Sequence, residues 1–172
     1  LKVIVTNWDQ ELLQLEVPWH PKRPELGTRT LAFGPELWID RSDFEQHPPE
    51  GFFRLMPGGS VRLKYGFIVD FEDVLCDAAG HVQEVHVRYD PATRSGQDQS
   101  GRKVKGTIHW VPGAAPAVQV NLYDRLFTVP DPAQYEDMSS CLNPESLVVT
   151  QALVEPALTQ PMPDAYFQFE RV

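Results

Sequence analysis

Between Val61 and Phe71 every second residue is apolar (Val61, Leu63, Tyr65, Phe67, Val69 and Phe71), while Arg62 and Lys64 occupy the opposite parity. A period of two belongs to a strand with one face buried and the other in water, and it gives no single apolar stripe on a helix. The run that follows puts Val85, Val87 and Tyr89 on one face and Glu84, His86 and Arg88 on the other. With Asp77-Ala-Ala-Gly80 as the turn, the spacing predicts a β-hairpin. A third alternation sets Val104, Ile108 and Trp110 against Lys103, Lys105, Thr107 and His109, after a long polar loop from Asp90 to Gly101.

The same texture continues downstream. Val118, Val120 and Leu122 alternate, Leu147 to Val149 is an apolar and mostly β-branched run, and Tyr166 to Val172 reads as a closing strand. Sixteen prolines interrupt these runs, each removing a ladder donor and confining helix to short turns around Arg41–Gln46 and Pro132–Leu142. Many short antiparallel strands with Gly and Pro turns predict an all-β fold of two antiparallel β-barrels with short helical turns, and exclude a parallel α/β fold. With 42% apolar and 23% charged residues in 172, the chain has material for one domain core or two small ones.

No segment approaches the ~20 consecutive apolar residues of a membrane helix. Cys76 and Cys141 fit no metal spacing and read as free thiols in a reducing compartment, so a cytoplasmic location is expected. A chain that opens on Leu1 is expected to be a fragment or a processed product.

The net charge of −9 is unevenly spread. Residues 51–110 hold eight Lys and Arg against seven Asp and Glu, a net +1, whereas the remainder holds seven against seventeen, a net −10. A locally basic segment in an acidic chain is either a solvated charged surface or a face for phosphates. Arg54, Arg62, Lys64, Arg102, Lys103 and Lys105 are interleaved there with Phe52, Phe53, Tyr65 and Trp110. Cations beside aromatics on a barrel can hold phosphates and stack splayed bases. From pattern alone, aromatics that fill the barrel interior are an equally open reading.

The sequence carries no catalytic signal. Met56-Pro-Gly-Gly-Ser60 lacks the Lys and the following helix of a phosphate-binding loop and reads as a turn. The five histidines are scattered, and Cys141 has no neighbouring base, so neither a zinc centre nor a cysteine nucleophile is expected. The expectation is therefore no catalytic residue, no metal and no cofactor in this chain.

Gly101-Arg-Lys-Val-Lys-Gly-Thr-Ile-His-Trp-Val111 and Leu122-Tyr-Asp-Arg-Leu-Phe127 resemble the C-terminal anticodon-binding region of the glutaminyl-tRNA synthetases, class I aminoacyl-tRNA synthetases. So do His20-Pro21 with Gly27-Thr-Arg29, Leu37-Trp-Ile-Asp40, Phe53-Arg-Leu55 with Val61-Arg-Leu63, Asn143-Pro-Glu-Ser-Leu147 and Phe167-Gln-Phe-Glu-Arg171, in order from end to end.

The resemblance implies a distal β-barrel over about residues 49–111 and a discontinuous proximal barrel from about 1–48 plus 112–172. It implies the anticodon loop of glutamine tRNA as partner. By position in relatives, Arg54 would serve the third anticodon base, Arg62 and Lys64 the first, and Gln168 and Arg171 the second. Phe53 departs from the family at a position that is often basic, Lys64 stands where Arg is common, and Lys22 sits where a small amide can occur.

The parent protein would be a glutamine-tRNA ligase using ATP and magnesium in an N-terminal catalytic domain. Its His-Ile-Gly-His and Met-Ser-Lys-type motifs do not occur here, so this piece alone is expected to be inactive. A monomer is expected, with neither membrane nor DNA as partner. The same region of a eukaryotic-type glutamyl-tRNA synthetase, a barrel like that of a ribosomal protein binding 5S rRNA, and an interaction barrel that binds no RNA are the alternatives.

Overall fold

The computed structural model describes residues 1–160 together with Tyr166 and Phe167. Its strands are β1 Lys2–Val5, β2 Leu13–Pro18, β3 Thr28–Phe33, β4 Glu36–Trp38, β5 Ser60–Leu63, β6 Ile68–Cys76, β7 Val82–Asp90, β8 Thr107–Ile108, β9 Val111–Pro112, β10 Ala117–Tyr123 and β11 Leu147–Leu153. The described helical elements are all single 3₁₀ turns, including Arg41–Asp43, Pro132–Gln134 and Met138–Cys141, where short helical turns are expected from sequence. Asp40, Asp131 and Asp137 cap these three turns, each accepting a backbone N–H two residues on, which is how an Asx side chain starts a turn without building a helix.

Seven strands form one curled sheet in the order β8-β5-β6-β7-β1-β4-β9, a half-barrel; β2–β3 and β10–β11 make separate two-stranded sheets. The sheet is mainly antiparallel, with parallel pairing of β1 to β7 and of β5 to β8. Residues 1–48 and 49–111 contribute jointly to it: β1 lies between β7 and β4, and β4 between β1 and β9.

Alternation settles which faces turn inward. Val3 and Val5, Leu15 and Val17, Leu31 and Phe33, Val61 and Leu63, and Val85 and Val87 are all buried in one core. The β2–β3 hairpin contributes Leu15, Val17, Leu31 and Phe33 to the same core. Phe33, fully buried, lies 4.9 Å from the Phe67 ring, 5.3 Å from Trp8 and 5.4 Å from Trp110, centroid to centroid. Such offset and edge contacts add to the area term that drives the closure.

The run read from sequence as one strand, 61–71, is two strands. Leu63 accepts the Gly66 N–H at 2.8 Å, closing a turn in which Tyr65 takes φ of 61°. Positive φ at the third turn position is a requirement that glycine usually meets, and here a tyrosine meets it. The parity survives the turn, because Val61, Leu63, Phe67 and Val69 all stay in the core. In β10 and β11 the apolar residues instead remain largely exposed; Leu122, Leu147, Val148 and Val149 are each between 43% and 56% exposed.

Candidate nucleic-acid interface

The 64–67 turn is the anchor of the basic face. Trp110 donates its indole N–H to the Lys64 carbonyl at 3.0 Å, and Ser95 bonds the Gly66 carbonyl through both its N–H (2.8 Å) and its hydroxyl (2.9 Å). Buried Thr93 accepts the Ile68 N–H at 2.8 Å and donates to the Asp90 carbonyl at 2.6 Å. The start of the long polar loop is therefore stitched to the hairpin by satisfied, buried polar groups.

Arg62, on β5, points into this loop. It donates to the Thr93 carbonyl at 2.6 Å, to the Ser95 hydroxyl at 3.3 Å and to Asp98 Oδ2 at 2.6 Å. The Asp98 carboxyl is held below its ordinary pKa, first by the hydroxyl and backbone N–H of Ser100 and then by Arg62. Lys64 lies at the turn, its ammonium 5.7 Å from the Tyr65 ring centre. Two residues of one strand parity thus serve different ends: Arg62 holds the loop, and Lys64 faces the turn's aromatic ring.

Arg54 is placed by a parallel bridge between Leu55 and Phe44, with Leu55 donating to the Asp43 carbonyl at 3.0 Å. Its guanidinium donates to the Ser42 carbonyl at 2.8 Å, lies 3.5 Å from a carboxylate oxygen of fully buried Asp43, and is 5.8 Å from the Phe52 ring centre. Arg54 shares a cleft of about 360 Å³ with Phe53, Arg102, Lys103 and Lys105. Arg102 is committed elsewhere: its fork meets Asp70 at 2.5 Å and Asp90 at 2.9 Å. That pairing raises the Arg102 pKa, through Asp70 first, and lowers that of Asp70. Bidentate pairs of this kind fix geometry as well as charge.

Of the five anticodon residues expected from sequence, Arg54, Arg62 and Lys64 are described, and only Arg54 lines the cationic cleft. Gln168 and Arg171 lie outside the described residues. The aromatics divide: Trp110 is 1% exposed and belongs to the core, whereas Phe53 is 53% exposed and belongs to the surface. Sequence reasoning did not find the internal partners of Arg62 and Arg102. The acids concerned stand 36, 32 and 12 residues away along the chain, and no local pattern marks such a pairing. Among the described residues no group of three or more His, Cys, Asp or Glu is placed to hold a metal ion, and no helix is long and apolar enough to cross a membrane.

Comparison with known proteins adds two family matches. Residues 1–90 match "tRNA synthetases class I (E and Q), anti-codon binding domain", and residues 107–172 match a second family of the same description. The chain is 47% identical to a glutamine--tRNA ligase of Ectopseudomonas mendocina, 46% to that of Cupriavidus necator and 42% to that of Escherichia coli O157:H7, each over 99% of the chain. It spans about a third of the length of these curated relatives, 32%, 30% and 31% respectively.

Proposed function

Because the chain belongs to the family of anticodon-binding domains of class I tRNA synthetases (E and Q), we propose that it reads the anticodon loop of glutamine tRNA. It would do so as the C-terminal part of a cytoplasmic protein that ligates glutamine to its tRNA. The observation that carries this reading is identity of 42–47% along 99% of the chain with glutamine--tRNA ligases. That similarity favours glutamine over the glutamate enzymes that share the family description. ATP and magnesium belong, in this proposal, to the N-terminal catalytic remainder of the longer protein, and the active form is a monomer.

The chemistry of the expected readers fits the task. Arg54 presents a planar fork suited to a guanine edge at the third position, and Arg62 and Lys64 supply cationic donors for the first. Gln168 offers both donor and acceptor to the second base, with Arg171 beside it in the family pattern. Each good pair would contribute about 1–3 kcal/mol of discrimination, by analogy with base readout in DNA. A division into a distal unit over about 49–111 and a proximal unit from 1–48 plus 112–172 is part of the proposal. In it β1 and β4 tie the two units together through the shared sheet.

Equilibrium binding of the longer protein to a glutamine tRNA anticodon stem-loop tests the reading. Preference for the cognate middle base, lost in Gln168→Ala, is the expected result. Equal binding of all loops would overturn it.

A further inference from the structure

The cleft beside Arg54 has a feature that reading a single base leaves unused. Phe53 is 53% exposed at its mouth, and the Lys105 ammonium sits 4.7 Å from the ring centre. An exposed aromatic face next to cations is a surface on which a base can stack. The backbone that carries this ring is held against Gly106. A Cβ on Gly106 would fall 1.8 Å from the Phe53 carbonyl oxygen, so the two backbones touch, and only glycine permits that contact. The point of attachment is therefore set by the close backbone contact, and the ring itself stands half exposed beside a cation.

The charges at the cleft are sorted as well. Arg102 is neutralised by Asp70 and Asp90, whereas exposed Lys103 and Lys105 form no ion pair among the described residues. Two uncancelled ammonium groups beside an exposed ring are what one nucleotide of a single strand needs: a surface for its base and cations for its phosphates.

We propose that Phe53, Lys103 and Lys105 form a nucleotide subsite for single-stranded RNA next to Arg54, with Phe53 stacking a base and the two lysines holding the backbone. The subsite takes the nucleotide flanking the base that Arg54 reads, and so rests on the RNA-binding reading above. It adds sequence-independent grip: every base has a face to stack, and phosphate contacts do not distinguish bases.

The test titrates the full-length protein containing this chain with two fluorescent probes, pentauridylate and the glutamine tRNA anticodon stem-loop, across a range of KCl concentrations. Phe53→Ala should weaken pentauridylate binding by about tenfold or more, with the salt slope unchanged, and Phe53→Tyr should restore it. The double variant Lys103→Gln, Lys105→Gln should reduce the slope of log K against log salt by roughly 1.4, the value for two single-strand phosphates. Unchanged pentauridylate binding in Phe53→Ala would overturn the subsite even if the stem-loop preference persisted. If that preference were absent while the Phe53 effect held, the anticodon reading would fail and the subsite would stand. An oligoglutamate peptide bound with the same dependence on Phe53 would also overturn the assignment to RNA.

Discussion

Arg29 on β3 and Glu155, 126 residues later, meet in a buried two-point pair, with a guanidinium N–H donating to Glu155 Oε1 at 2.9 Å and a second contact to Oε2. His109 completes the cluster, its Nε2 3.1 Å from the same Oε1. The cluster ties the segment after β11 to the core hairpin and to the loop between β8 and β9. The β10–β11 ribbon contributes little burial of its own, so this polar clasp is a main attachment of the later segment.

Breaking one side of the clasp should be costly. Arg29→Ala leaves a 6% exposed carboxylate without its main partner, and losing one member of a buried pair costs about 3–5 kcal/mol. Chemical denaturation should show that loss, and hydrogen exchange should show faster opening of residues near 152–158 than of β6 or β7.

The same clasp makes stability depend on acid. Burial alone would raise the Glu155 pKa, but the Arg29 contacts, and then His109, outweigh it and bring the group from 4.5 to about 2. A carboxyl whose folded pKa is depressed contributes stability that is present above about 4.5 and is lost as pH falls toward about 2. The contribution at neutral pH is about 3 kcal/mol at one to one-and-a-half kcal/mol per pKa unit. Denaturation midpoints of the native protein and of Glu155→Gln should differ at pH 6 and converge as the pH approaches 2.

Asp98 Oδ2 accepts from the Arg62 guanidinium at 2.6 Å. If Arg62 reads the first anticodon base, RNA must displace this carboxylate, and Asp98→Asn removes the competing charge. Stem-loop affinity should rise several-fold at low salt, and the gain should shrink as salt screens the exposed pair. Weaker binding in the variant would mean that the loop presents Arg62 rather than withholding it.

Gly106→Ala should destabilise the cleft wall. Its Cβ would meet backbone, not a flexible side chain, and overpacking of this kind costs about 1–3 kcal/mol. Phe33→Ala, at the centre of the aromatic cluster, should cost about 3–5 kcal/mol. Thermal unfolding of both variants against the native protein checks the ranking.

The strand parities were legible because burial of one face imposes a local period of two, and that period is written in consecutive residues. Val61, Leu63, Phe67, Val69, Val85 and Val87 all lie inside as their alternation requires. The turn at Tyr65 was not legible, because a closed hairpin turn preserved the parity on both sides and the positive φ fell on a residue that carries no turn preference. Burial of Trp110 and exposure of Phe53 could not be separated either, since both belong to the same segment of interleaved aromatics and cations.

The identity of the basic segment and the anticodon-binding family are thus properties of the order of residues, since charge content and motif spacing survive without any fold. Which cations are free for a ligand depends on partners brought from distant positions. Asp98 claims Arg62, and Asp70 and Asp90 claim Arg102, while Lys103 and Lys105 stay in water beside Phe53. Such pairings follow from strand order, from the loop stitched to the 64–67 turn and from the contact at Gly106. Coulombic and hydrogen-bond energies depend on distance through space, which the chain's own spacing does not encode.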